Sequence, residues 1–220
     1  LSVSSMIRKS ASVIFFHGSG DTGPNVLAWV RNLIGRDFAG SHIKYIFPTA
    51  PKQKYTPFGD EISTVWFNRT SVDIDAPEEV ESMSKSYDIA NGLIQNEVDL
   101  GVATDRIIVG GFSMGGALAL HTGYRLNMEL AGVFAHSAFL NRESIVYESL
   151  EGKSMHPELC MFHGTSDDIV AYKWGLDTFD KLQNLGVSGT FTTLDNAAHE
   201  LMESSMLDVE RWILKKLPQS

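Results

Sequence analysis

DRIIVGGFSMGGALAL, residues 105–120, sets a serine between a short apolar run and a helix-forming one. Within it Gly111-Phe112-Ser113-Met114-Gly115 matches G-x-S-x-G. Ile107–Val109 reads as a buried strand and residues 116–120 as the start of a helix. A serine at the sharp turn between them has its hydroxyl pushed out at the carboxyl edge of a sheet, as a nucleophile requires. Glycines two before and two after are needed because strand and helix approach too closely there for a Cβ. The pentapeptide alone also occurs in ordinary loops, so the reading depends on what surrounds it.

Outward from that turn, strand-like runs recur at 12–16, 43–47, 106–110, 132–135, 159–162 and 190–194. Helix-period segments lie between them. Pro24 can open one, with Val26, Leu27, Val30 and Leu33 or Ile34 inward; Pro77 can open another, with Val80, Met83, Tyr87, Ala90, Ile94 and Val98 as its stripe. A third follows the serine, a fourth spans about 173–185 and a fifth about 201–217. Strands alternating with helices predict an α/β fold: a mostly parallel central sheet with helices on both faces. The 220 residues fit one domain, 1–220, with no separate cap. Residues 48–72, PTAPKQKYTPFGDEISTVWFNRTSV, are the one long irregular stretch, and such loops are often functional.

A serine hydroxyl is a poor nucleophile at neutral pH and needs an imidazole held by a carboxylate. Two later loops supply them, in the order acid then histidine that G-x-S-x-G folds use. His163-Gly164-Thr165-Ser166-Asp167-Asp168 follows one strand, and Asp195-Asn196-Ala197-Ala198-His199-Glu200 follows the last. Asp167 is preferred to Asp168, which would be a turn or cap residue. Among seven histidines, His199 is preferred because it follows the acid; His136, ending the strand after the serine, is its rival. His163 more naturally braces its own loop, and His42, His121 and His156 read as structural or solvated.

Two backbone N–H groups should face the developing oxyanion: that of Met114, at the helix's positive end, and that of Ser19, in the loop after the first strand. That loop, His17-Gly18-Ser19-Gly20-Asp21-Thr22-Gly23, also contains G-x-G-x-x-G, a dinucleotide fingerprint. The fingerprint requires an acid ending the second strand, and residues 46–51 read Ile-Phe-Pro-Thr-Ala-Pro. No cofactor is therefore expected, and no metal either, because no ligand-spaced His or Cys pairs occur.

The formal charge of −9 argues against nucleic acid and against attraction to anionic lipid. The single cysteine, Cys160, sits in an apolar run and reads as a buried strand residue, which with the lack of any disulfide points to a reducing compartment. The first ten residues lack the apolar stretch of a signal peptide, so a cytoplasmic location is expected and the Asn68-Arg69-Thr70 sequon reads as chance. No stretch approaches the length of a membrane span.

Together these segments resemble the acyl-protein thioesterase and lysophospholipase family of α/β-hydrolases, its lysophospholipase-like branch above all. HGSGDTG, YIFPTAP, VWFNR, GGFSMGGALA, AGVFAHSAFLN, HGTSDDIV, AHE and WILKKLP carry the likeness in order along nearly the whole chain. It implies Ser113, Asp167 and His199 as a catalytic triad, with Ser19 and Met114 giving the oxyanion amides. It implies cleavage of acyl thioesters or esters, fatty acyl groups on protein cysteines included. The chain departs from the thioesterases in having Met114 where they have glutamine, Asn68 where a Trp-Phe-Asp motif has its acid, and no cysteine near its start for palmitoyl anchoring. Residues 56–66, which border the acyl pocket in relatives, look different. Trp66 reads equally as a wall of that pocket and as a core tryptophan. The partners expected are an acylated protein or a small acyl ester, with no nucleic acid, at most transient membrane contact, and a monomer or weak dimer. A short-chain carboxylesterase is the alternative reading, and a non-catalytic binding protein on the same fold the remote one.

Overall fold

Six parallel strands carry the site, and their order explains where it lies. In the computed structural model, which describes residues 9–219, β1 (Ala11–Phe16) is followed by α1 (Gly23–Ile34) and β2 (Ile43–Ile46). A short hairpin, β3 (Lys52–Tyr55) and β4 (Glu61–Thr64), precedes α2 (Val80–Asp99). Then come β5 (Ile107–Phe112), α3 (Met114–His121), β6 (Gly132–His136), α4 (Ile145–Leu150), β7 (Glu158–Gly164), α5 (Tyr172–Asn184), β8 (Gly189–Leu194) and α6 (Glu203–Lys216). The main sheet runs β2-β1-β5-β6-β7-β8, with every pairing parallel. From β1 the chain moves outward to β2 and then crosses back to β5 on β1's other side. The loops after β1 and β5 therefore diverge at a topological switch point, the crevice where open parallel sheets bind ligands.

Alternation along β1 builds two cores. Ala11, Val13 and Phe15 join Val26 and Val30 of α1 and Met206, Val209 and Ile213 of α6 on one face. Ile14 and Phe16 join Tyr87, Ala90 and Ile94 of α2, Leu118 of α3, Val146 of α4 and Phe179 of α5 on the other. Both faces are buried, so the central strands read as continuous apolar runs. Each fully buried Ile, Val or Phe here is worth about 1.5–3 kcal/mol of transfer free energy. Cys160 is buried in β7 as expected, and burial pushes its thiol up to about 12, so it is an inert packing residue.

Two local expectations need correction, and one helix was not expected. Residues 48–72 are not irregular throughout: β3 and β4 pair antiparallel, Lys52 opposite Thr64 and Tyr55 opposite Glu61. Pro77 does not open α2, which begins at Val80 with Glu79 in the capping position. The helix α4, capped by the Ser144 hydroxyl accepting Val146 N–H, went unread because its six residues are too short for a periodic signal. The absence of a signal peptide concerns mainly residues 1–8, which lie outside the described residues. Among the described residues no helix is long and apolar enough to cross a membrane.

Candidate active site

Ser113 follows β5 and caps α3 with φ 55° and ψ −121°, a left-handed conformation that costs a non-glycine residue about 1–3 kcal/mol. Surrounding structure enforces it: Ser113 N–H donates to His136 O at 2.8 Å, and Ala117 N–H to Ser113 O at 3.1 Å. The flanking glycines are steric requirements. A Cβ on Gly111 would lie 2.4 Å from the Gly115 carbonyl carbon, and one on Gly115 would lie 2.1 Å from Phe16 O.

The loops after β7 and β8 bring the acid and the histidine to this turn. His199 Nε2 lies 2.9 Å from Ser113 Oγ, and His199 Nδ1 lies 2.7 Å from Asp167 Oδ2. Asp167 also accepts the N–H groups of Ile169 and Val170 on Oδ1, at 3.0 and 2.8 Å. Burial pushes the Asp167 carboxyl up, but hydrogen bonds from His163, His199 and Val170 outweigh it and hold the group well below the usual carboxylate range. An ionised Asp167 can only accept, so the His199 proton sits on Nδ1 and Nε2 is free to take the serine's. Phe112 packs against the imidazole with ring centroids 4.8 Å apart.

The rivals fall elsewhere. Asp168 is exposed beside the buried Asp167. His136 is fully buried between the hydroxyls of Ser137 and Ser205, each 3.0 Å away. Burial, with His163 and His199 nearby, lowers its pKa to about 3. His163 braces its loop by donating from Nε2 to Val170 O at 2.9 Å, with Asp167 Oδ2 at 3.4 Å.

Two effects of burial on histidines, at His136 and His17, give stability a pH sign. Folding lowers the pKa of His136 and, through burial, that of His17, so the unfolded chain binds protons that the folded one refuses. Their contribution is whole above about pH 6.5 and is lost as pH falls toward 3, while Asp167 acts in the same direction at lower pH. The melting temperature is expected to fall steadily between about pH 7 and 4; a flat profile would contradict these assignments.

The loop carrying Ser19 is fixed from below. His17 Nε2 accepts Ala50 N–H at 2.9 Å, so its proton lies on Nδ1 and reaches Gly18 O at 2.6 Å. Gly20 N–H donates to Thr64 O and the Thr64 hydroxyl to Asp21 O, which ties the loop to the hairpin. A Cβ on Gly18 would sit 3.3 Å from that of Ser113, so the loop that carries Ser19 passes close beside Ser113. The N–H of Met114 opens α3. Neither it nor that of Ser19 has a hydrogen-bond partner among the described residues.

Trp66 does not line the cleft. It is fully buried, packs edge-on against Phe16, and donates from Nε1 to His17 O at 2.8 Å, so of its two readings the core one holds, as a prop under the loop. The walls around Ser113 and His199 are instead Tyr55, Phe58, Arg69, Phe139, Ile169 and Val170, enclosing about 210 Å³. None of the six was named individually from the sequence, although Tyr55, Phe58 and Arg69 fall in the 48–72 stretch expected to be functional, and Phe58 in the 56–66 segment expected to border the pocket. Asn68 binds Thr56 twice, accepting its N–H at 2.9 Å and donating to its hydroxyl at 3.0 Å, so its amide secures the hairpin. Among the described residues no group of three or more His, Cys, Asp or Glu could hold a metal ion.

A family model described as Phospholipase/Carboxylesterase matches residues 3–217. Mouse lysophospholipase-like protein 1 is 45% identical over 212 residues, covering 96% of this chain and 89% of the relative. Acyl-protein thioesterase 1 homolog 2 of Dictyostelium discoideum is 33% identical over 221 residues, covering 100% and 98%. Among solved structures, Zea mays acyl-protein thioesterase 2 superposes with a TM-score of 0.81 at 26% identity, covering 96% of this chain and 95% of that one.

Proposed function

The chain belongs to the phospholipase/carboxylesterase family as a hydrolase of acyl esters and thioesters, and we propose that it works through Ser113, His199 and Asp167 by way of an acyl-enzyme. The observation that supports this reading best is the continuous path Ser113 Oγ–His199–Asp167, at 2.9 and 2.7 Å, opening into a cleft. His199 takes the Ser113 proton as the oxygen attacks the acyl carbonyl, and the cation it becomes is held by the Asp167 carboxylate. The amides of Ser19 and Met114 receive the developing oxyanion, each worth about 3–4 kcal/mol to the transition state. His199 then returns the proton to the leaving thiolate or alkoxide. In the second half it deprotonates water, which releases the acid and restores the serine. The whole of 1–220 serves as one α/β-hydrolase unit, acting as a monomer or weak dimer.

Relatives named as acyl-protein thioesterases support an S-acylated protein as substrate. The cleft supports a short acyl group instead of a long one: about 210 Å³ falls below the roughly 300–1,000 Å³ of ordinary small-molecule pockets. The two readings separate on a series of p-nitrophenyl esters from acetate to palmitate, run beside matching thioesters. The short-chain reading predicts kcat/KM rising to the short esters and collapsing beyond octanoate. Full activity on palmitate would instead favour fatty-acyl deacylation. No hydrolysis of any member would sink both.

A further inference from the structure

Arg69 follows the hairpin in the VWFNR segment, and the chemistry above makes no use of it. Arg69 lines the same cleft as Ser113 and His199. The carbon of the guanidinium lies 5.0 Å from the Phe67 ring centroid and 5.3 Å from that of Phe139, so aromatic rings hold the group. Its Nε is sealed from solvent and has no hydrogen-bond partner, and the side chain makes no ion pair among the described residues. The carboxylate that acts on it, Glu78, makes no ion pair with it: Glu78 Oε1 faces His121 across 3.1 Å, and Oε2 accepts Ile145 N–H at 3.1 Å. Asp21 also lines the cleft, but its Oδ1 accepts Thr22 N–H within its own loop. Arg69 is half-buried, and an Nε–H sealed from water without an acceptor is costly; an acceptor that arrives with a ligand would satisfy it. Burial accordingly lowers its pKa from the usual value, though an arginine stays cationic at neutral pH.

We propose that Arg69 determines specificity by binding a carboxylate on the substrate, so that the preferred esters or thioesters are anionic. This rests on the serine-hydrolase reading and refines its substrate class. A planar fork clamped by rings suits bidentate carboxylate binding, and the pairing is strongest where water is excluded. The small cleft places any group bound by Arg69 near the reacting carbonyl. The carboxylate could sit at the far end of a short acyl chain or on the leaving group, and paired substrates distinguish these. Mono-p-nitrophenyl glutarate against its methyl-capped counterpart reads the acyl side. 4-Butyryloxybenzoate against its methyl ester reads the leaving-group side.

At neutral pH, purified wild-type protein is expected to prefer the charged member of one pair by about tenfold or more in kcat/KM. Arg69→Gln should abolish that ratio and Arg69→Lys should keep part of it. The ratio is taken within each protein, so overall losses of rate cancel. If Arg69→Gln does not fold, the wild-type pairs decide alone. Equal or faster cleavage of the neutral member in both pairs would overturn the assignment of Arg69 while leaving the serine-hydrolase reading intact. Failure to cleave any of the four would count against that reading itself.

Discussion

Ser113→Ala is expected to lower kcat/KM on any accepted ester by about 10⁴-fold or more while leaving the fold in place. The size follows from the roles being interdependent. Without the hydroxyl, His199 has no proton to take and Asp167 no cation to steady, so removing the serine removes most of what the three do together. A residual rate should survive, because the cleft and the amides of Ser19 and Met114 still bind and polarise the carbonyl. The fold should survive because the strained turn is held by the backbone, through Ser113 N–H to His136 O and the close approach of Gly111 and Gly115. Alanine tolerates the φ of 55° about as well as serine does. The melting temperature, measured alongside activity, separates loss of chemistry from loss of structure.

Asp167→Asn is expected to cost about 10⁴-fold in kcat, nearly as much, for a different reason. An asparagine that keeps its oxygen toward the Ile169 and Val170 amides presents an NH₂ to His199 Nδ1. Nδ1 must then accept, the imidazole proton moves to Nε2, and the ring can no longer take a proton from Ser113. Asp168→Asn, on an exposed carboxylate one residue away, should change kcat by less than about twofold. Equal effects from the two substitutions would remove Asp167 from its assigned role.

Much of this arrangement was legible before any coordinates, for identifiable reasons. The central strands are buried on both faces and so read as unbroken apolar runs, and α1 and α6 carry one-sided stripes. Ser113, Asp167 and His199 each follow a parallel strand, and parallel sheets gather such loops at one edge. The hairpin was not legible. KQKY and EIST carry no alternation because their two-stranded sheet buries little: Ile62 is 64% exposed. Since that hairpin supplies Tyr55 and Phe58 to the cleft and precedes Arg69, the sequence marked the 48–72 segment but not which of its side chains form the walls. Trp66 shows the remaining limit. An apolar residue near a motif reads equally as wall or core, and only the Nε1 bond to His17 O distinguishes them. The amides proposed for the oxyanion, those of Ser19 and Met114, are backbone groups, so sequence could mark their loops but not their approach to Ser113.

The central claim, that Ser113 is the nucleophile, is tested most directly by covalent labelling with a fluorophosphonate probe, read by intact mass and peptide mapping. A single adduct on Ser113 is expected, lost in Ser113→Ala and kept in Ser137→Ala. An adduct on another residue, or none on the folded wild-type protein, would contradict it.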